Sequence, residues 1–169
     1  MTIETERLEL RPISTEDLPG FLGLHADPEV SRFIGRHDAE SAARRLREAE
    51  ESWAASGYGM FAVLERRTGE FLGRCGLVHW PELDETEIGW ALHRQAWGRG
   101  YATEAARACI AWTFANTPLT RITAMINPAN PRSRAVAERL GMTWSRSTPF
   151  HGAVVDVYEL RKPRVTHRA

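Results

Sequence analysis

The sequence predicts an α/β (α+β) layer fold, with helices early and late in the chain around a central mixed sheet. Three observations carry this. Glu85–Leu92 alternates as a half-buried strand does. Directly beyond it, Ala102, Ala105, Ala106, Cys109, Ile110, Thr113 and Phe114 recur at helical spacing. At 169 residues the chain has the length of one domain, long enough to bury a core without disulfides. No repeat or linker divides it, so 1–169 reads as a single domain, with 162–169 a flexible tail.

Taken in order, a strand covers Arg7–Arg11. A helix follows from about Glu16 to Ala26, capped by Ser14 or Thr15. A short helical piece spans Pro28–Ile34. A longer helix runs from Ala39 to Ser56, capped by Asp38 and stopped by Gly57. Ala39, Ala42, Ala43, Leu46, Ala49 and Trp53 form its apolar side, and Arg44, Arg45 and Arg47 its wet one. Strands at Tyr58–Glu65 and Phe71–His79 flank the turn Arg66-Arg67-Thr68-Gly69. The Glu87 strand, the Tyr101 helix and the Arg121–Ile126 strand come next. Asn127-Pro128-Ala129-Asn130 breaks that strand, and Pro131–Leu140 reads as a short helix stopped by Gly141. Strands near Thr143–Ser147 and Val154–Arg161 close the chain.

Composition narrows the function. Lysine plus arginine equals aspartate plus glutamate, 22 each, so no global basic field argues for nucleic acid. No apolar run approaches a membrane span, and the N-terminus is too polar for a signal peptide, which suits a cytoplasmic protein. Cys75 and Cys109 read as buried reduced thiols. The histidines lack ligand spacing, so no metal is expected.

The run Arg94-Gln95-Ala96-Trp97-Gly98-Arg99-Gly100-Tyr101-Ala102 lies where a strand ends and a helix begins. The first helical N–H groups have no partner inside the helix, and the helix dipole is positive there. Glycine removes the side chain that would block approach. The result is a backbone cradle for an anion, a phosphate by chemistry. The dinucleotide fingerprint fails for want of its third glycine, and no Gly-Lys-Ser/Thr is present for a P-loop.

The same run resembles the pyrophosphate loop Q/R-x-x-G-x-G/A of the GNAT superfamily of acyl-CoA-dependent N-acyltransferases, with Arg94 or Gln95 opening it and Gly98 and Gly100 in the glycine positions. Asn130-Pro131-Arg132-Ser133 through Gly141-Met142 resembles that superfamily's N-x-x-S-x-x-V-x-x-K-x-G-F segment, with Arg139 for lysine and Met142 for phenylalanine. Glu4–Pro12, Asp27-Pro28-Glu29-Val30 and Glu87-Ile88-Gly89-Trp90 are similar to the RimJ/RimL-like branch, which acetylates ribosomal-protein N-termini and other amines. The resemblance implies a GNAT sheet splayed between its fourth and fifth strands, here the Glu87 and Arg121 strands.

It also implies acetyl-CoA as cosubstrate and a primary amine as acceptor, on a small molecule or a protein N-terminus, taken by direct attack; the chain would be a monomer or homodimer. An inactive acyl-CoA-binding module of the same fold is the alternative. In the implied site, backbone groups of Trp90, Ala91 and Leu92 meet pantetheine in the manner of an added strand. A backbone N–H near Leu92 then polarises the thioester carbonyl. Trp97, Gly98, Arg99, Gly100, Tyr101, Ala102 and Thr103 hold the pyrophosphate, with Arg94, Gln95, Asn127 and Asn130 completing the cofactor set. Arg94 and Arg99 either contact phosphates or are solvated loop residues. Asn130 either contacts pantetheine or caps its helix. Glu87 is the candidate general base, and its other reading is a structural carboxylate paired with an arginine such as Arg74. Ser133 is the candidate donor to the leaving sulfur, and otherwise a first-turn serine. The acceptor pocket is expected between the helical segment after Asp27, the loop after His79 and Pro149–Asp156. Trp53, Tyr58, Trp80, Trp90, Trp97 and Trp144 are large aromatics, of which Trp80 and Trp90 are the candidate acceptor walls.

Overall fold

A computed structural model describes residues 1–164. Eight strands form one sheet: β1 (Ile3–Glu4), β2 (Leu8–Pro12), β3 (Met60–Glu65), β4 (Phe71–Trp80), β5 (Glu85–Leu92), β6 (Arg121–Ile126), β7 (Thr143–Phe150) and β8 (Ala153–Arg161). Their spatial order is β1-β2-β3-β4-β5-β6-β8-β7. Every neighbouring pair is antiparallel except β5 and β6, which are parallel. That junction is registered only at Glu87 opposite Thr123. Beyond it the two strands part, so the expected splay is present.

Five helices cover the sheet: α1 (Leu18–Ala26), α2 (Pro28–Ile34), α3 (Ala39–Ser56), α4 (Tyr101–Asn116) and α5 (Pro131–Arg139). Alternation along the strands builds two cores. Leu10, Phe61, Cys75, Leu77 and Ile88 pack with Ala105, Ala106 and Cys109 of α4 on one face. Ala62 and Met60 pack with Phe21 of α1 and Leu46 of α3 on the other. A smaller cluster of Leu24, Val30 and Ala91 fastens α2 to β5. No helix among the described residues is long and apolar enough to cross a membrane. Cys75 and Cys109 are buried free thiols.

Asp38 accepts from Ser41 N–H at 2.7 Å, and Gly57 closes α3 at φ +72°, so both ends of that helix follow their caps. The segment expected as one helix from Glu16 divides instead. Thr15–Asp17 is a 3₁₀ turn held by a Ser14/Asp17 capping box, and the α-helix starts at Leu18. Pro19 explains this: it has no N–H to give a preceding turn, and its ring fits only the first turn of a helix. The two-residue β1 has no sequence signal and owes its conformation to β2. In the expected tail, Lys162 N–H donates to Thr120 C=O at 2.8 Å, and 165–169 lie outside the described residues.

Candidate active site

The phosphate cradle forms where the glycines place it. Gly98 (φ +73°) and Gly100 (φ +77°) are both in the left-handed region, and Gly100 is the N-cap of α4 without a capping side chain. The first ladder bond of α4 runs from Glu104 N–H to Gly100 C=O. The N–H groups of Tyr101, Ala102 and Thr103 are therefore left for a ligand. A Cβ on Gly98 would meet nothing within 4 Å, so the loop faces open space. These features fit a pyrophosphate held by backbone groups.

The loop is braced from a distance. Arg7 stacks on the Tyr101 ring at 4.3 Å, donates to Arg99 C=O at 2.9 Å and pairs with Glu104 at 2.6 Å. Thr5 Oγ1 also donates to Glu104 at 2.7 Å. Burial would raise the Glu104 pKa, but the hydrogen bonds from Thr5 and Arg7 hold it below the ordinary carboxylate value. The N-terminal segment thus fixes the first turn of α4.

Two cavities meet at the splay. One, of about 1460 Å³, opens over the cradle and is lined by Trp97, Gly98, Gly100, Tyr101, Ala102 and Arg132, among others. The second, of about 730 Å³, is lined by His25, Arg74, Trp80, Glu87 and Phe150, among others. Phe33, Ile34, Trp90, Asn130 and Ser133 border both. A molecule threaded from the cradle toward the splay reaches the second cavity at these residues.

Glu87 is half-buried at the origin of the splay. Its Oε2 accepts from Trp80 Nε1–H at 2.7 Å, and its Oε1 accepts from Met125 N–H at 3.4 Å. The carboxylate thus takes up a backbone donor that the parting strands free. Burial raises its pKa above the ordinary carboxylate value, and the Trp80 and Met125 donors only partly oppose this. A raised pKa makes a carboxylate a better base. Arg74 is not its ion-pair partner: the pairs formed by the described residues include none with Arg74.

Asn130 Oδ1 accepts from Ser133 N–H at 3.2 Å, and Asn130 Nδ2 donates to Ser133 Oγ at 3.0 Å. Asn130 therefore caps α5, and it does so from the wall shared by both cavities. The Ser133 hydroxyl accepts that bond and keeps its own proton free to donate.

The other expected residues divide between the two cavities, the core and the surface. Arg94 is exposed and pairs with Asp27 at 3.1 Å. Gln95 and Arg99 are exposed too, and neither they nor Arg94 line the cradle cavity. The Leu92 carbonyl is occupied by Trp97 Nε1–H at 2.9 Å. Ala91 and Thr103 line the cradle cavity, whereas Asn127 lines the second and turns its Oδ1 onto Ala129 N–H. Trp80 is both cavity wall and hydrogen-bond donor to Glu87, with Phe150 edge-on at 5.0 Å. Trp53 packs in the core against Phe61, and Trp144 is 58% exposed.

Sequence reasoning missed three features. Arg132 stacks over Trp97 at 4.5 Å, and Arg107 and Arg139 also line the cradle cavity. Arg107 lies four residues beyond Thr103, one turn along α4, so helical spacing alone could have found it. Buried Glu85 receives Arg121 at 2.6 Å and Arg146 at 2.9 Å, tying β5 to β6 and β7 just before the splay. No local pattern signals that long-range cluster.

Comparison with known proteins follows the same lines. Residues 7–143 match the family described as the acetyltransferase (GNAT) domain. The chain is 34% identical over 159 residues to the uncharacterized protein YkkB of Bacillus subtilis, covering 92% of each. It superposes on an acetyltransferase from Agrobacterium tumefaciens with a TM-score of 0.86 and 34% identity, covering 96% of this chain and 95% of that one. RimL, a ribosomal L7/L12 alpha-N-protein acetyltransferase solved with coenzyme A, shares the fold with a TM-score of 0.81 at 18% identity, over 95% of this chain and 98% of its own.

Proposed function

The chain belongs to the GNAT acetyltransferase family, and from that premise we propose that it moves an acetyl group from acetyl-CoA to a primary amine by direct attack in a ternary complex. One observation carries the reading: the cavity over the N–H cradle and the cavity containing Glu87 share a wall at Trp90, Asn130 and Ser133. A thioester delivered along the first cavity would meet an amine held in the second.

Residues of the chain divide the work. The Gly98–Thr103 backbone and Arg132 hold the phosphate end. Trp90, Ala91 and the open β5 edge align the pantetheine arm as an extra strand. The acceptor enters past Trp80 and Phe150. Its ammonium gives a proton to Glu87, directly or through a water, and the freed nitrogen attacks the thioester carbonyl. A C–N bond forms, the C–S bond breaks, and the second proton of the attacking nitrogen passes to the departing sulfur, so that coenzyme A leaves as the thiol, with Ser133 Oγ–H placed to donate a hydrogen bond to that sulfur. The thiol's ordinary pKa, about 8.5, makes it a fair leaving group without further help.

The branch resemblance supports an α-amine over a lysine side chain. An α-amine of pKa about 7.7–8.0 is a tenth or more neutral near pH 7, whereas a lysine amine at about 10.4 faces roughly 4–5 kcal/mol to deprotonate. A peptide bearing both amines tests this by mass spectrometry. Acetylation at the N-terminus is the expected product. Acetylation confined to the lysine would overturn the α-amine assignment and leave the donor assignment standing.

A further inference from the structure

The cavity that contains Glu87 also contains a half-buried guanidinium that forms no salt bridge among the described residues. Arg74 on β4 sits opposite Ala91 of β5, and Val78 sits opposite Glu87. Residues opposite one another in an antiparallel pair share a face, so Arg74, Ala91, Gly89 and Glu87 all look toward α1–α3. The Arg74 head lies over Gly89: its Nη1 is 3.9 Å from where a Cβ on that glycine would stand. Gly89 is two residues from Glu87, roughly 7 Å along the strand.

Arg74 Nε is buried and has no hydrogen-bond partner among the described residues. No ion pair satisfies its charge, and Glu87 is already engaged by Trp80 and Met125. The other basic groups of this cavity include Arg45, His25 and His37. Arg45 is paired with Glu48 at 2.8 Å, whereas His25 gives its Nδ1–H to Gly35 C=O. A guanidinium does not shed its proton to escape such a site. A guanidinium N–H buried without an acceptor carries an uncompensated desolvation cost. An acceptor brought by a ligand is one way to satisfy such a group, and Arg74 lines the cavity that would hold it.

Resting on the acetyl-transfer reading, we propose that Arg74 receives a carboxylate of the acceptor, so that the substrate is a primary amine carrying a carboxylate a few bonds from its nitrogen. The amine lies toward Glu87 and the carboxylate toward Gly89, where the absent side chain leaves room for a bidentate approach to the guanidinium. The site then selects amino-acid-like acceptors, because an uncharged analogue leaves the arginine unpaired.

The test compares proteinogenic α-amino acids and β-alanine with their own carboxamides under saturating acetyl-CoA, in wild type and Arg74→Met. The carboxamide amine is the less basic of each pair, so amine protonation cannot create a preference for the acid. Wild type is expected to favour the acid by about 10–100-fold in kcat/KM, as a charge-assisted hydrogen bond allows. Arg74→Met is expected to lose that preference, keep its acetyl-CoA affinity, and melt at or above the wild-type temperature without ligand. Equal use of acids and carboxamides, or of carboxamides alone, overturns the proposal. So does a marked fall in the melting temperature of the unliganded variant, which would give Arg74 a structural role. An enzyme that acetylates the two-amine peptide but neither series overturns the carboxylate acceptor alone. A protein that binds acetyl-CoA and acetylates nothing overturns the acetyl-transfer reading itself. In that case a melting shift by the amino acids in wild type, absent in Arg74→Met, still supports the anion site, and no shift overturns it.

Discussion

Replacing Gly100 by valine separates the cradle from the fold that carries it. Gly100 has φ +77°, and an added Cβ would lie 3.6 Å from Arg7 Nη2, an ordinary contact with the end of a flexible side chain. The cost to the unliganded protein is therefore conformational. Holding an L-residue in the left-handed region costs about 1–2 kcal/mol. At about 2–4 °C per kcal/mol for a domain of this size, the unliganded melting temperature falls by about 2–8 °C. Acetyl-CoA at a hundred times its Kd adds about 2.7 kcal/mol to wild type, a shift of about 5–11 °C. Gly100 lines the cradle cavity, so the branched side chain is added at the wall the phosphates approach. A hundredfold loss of affinity there leaves RT ln 2, about 0.4 kcal/mol, or a shift of about 1–2 °C. Thermal melting with and without acetyl-CoA reads both numbers. A folded Gly100→Val protein that keeps the full wild-type shift would refute the cradle.

Glu87→Gln should slow turnover most between the raised Glu87 pKa and the pKa of the amine, where the carboxylate is ionised and the amine still protonated. With a peptide α-amine the loss near pH 7 is about tenfold, the inverse of the neutral fraction, and it fades above about pH 9; a pH-rate profile showing the same loss at every pH would make Glu87 structural. His25 is buried with its Nε2 unpartnered, and burial, opposed by the Gly35 carbonyl and aided by the charge of Arg74, lowers its pKa from 6.5 to about 4. Neutral His25 therefore contributes stability that is present above the unfolded value and is lost as pH falls from 6.5 toward 4. At about 1.4 kcal/mol per pH unit this amounts to about 3 kcal/mol. Urea midpoints of wild type should fall across that window more steeply than those of His25→Gln, and parallel curves would remove His25 from the acid sensitivity.

Local signals decided how much was legible in the chain. Asp38 and Gly57 delimit α3 because a cap and a left-handed stop act within one turn of the residues they bound. Gly98 and Gly100 revealed the cradle for the same reason: the chemistry is backbone chemistry, written in residues that lack side chains. The Glu87 strand was readable from its alternation. What sequence could not reveal is what tertiary contact creates. Arg94 and Arg99 were plausible phosphate ligands by proximity in the chain, yet Arg94 turns to Asp27. Arg132, on α5, reaches the Trp97 ring instead. A pair of Glu87 with an arginine such as Arg74 was the alternative to its role as base, and the sheet register puts the two on one face with no salt bridge between them among the described residues. The bracing of the cradle by Arg7 joins residues 97 apart in sequence through Glu104, a distance over which no motif acts.

The central claim is acetyl transfer where the two cavities meet. Mass spectrometry of an amine and peptide panel incubated with isotope-labelled acetyl-CoA, read together with release of free coenzyme A, tests it most directly. The account predicts one labelled acetyl group on an amine nitrogen for each coenzyme A released, and loss of this product in Gly100→Val. Acetyl-CoA binding with no labelled amine from any acceptor would contradict it and identify the chain as a binding module of the same fold.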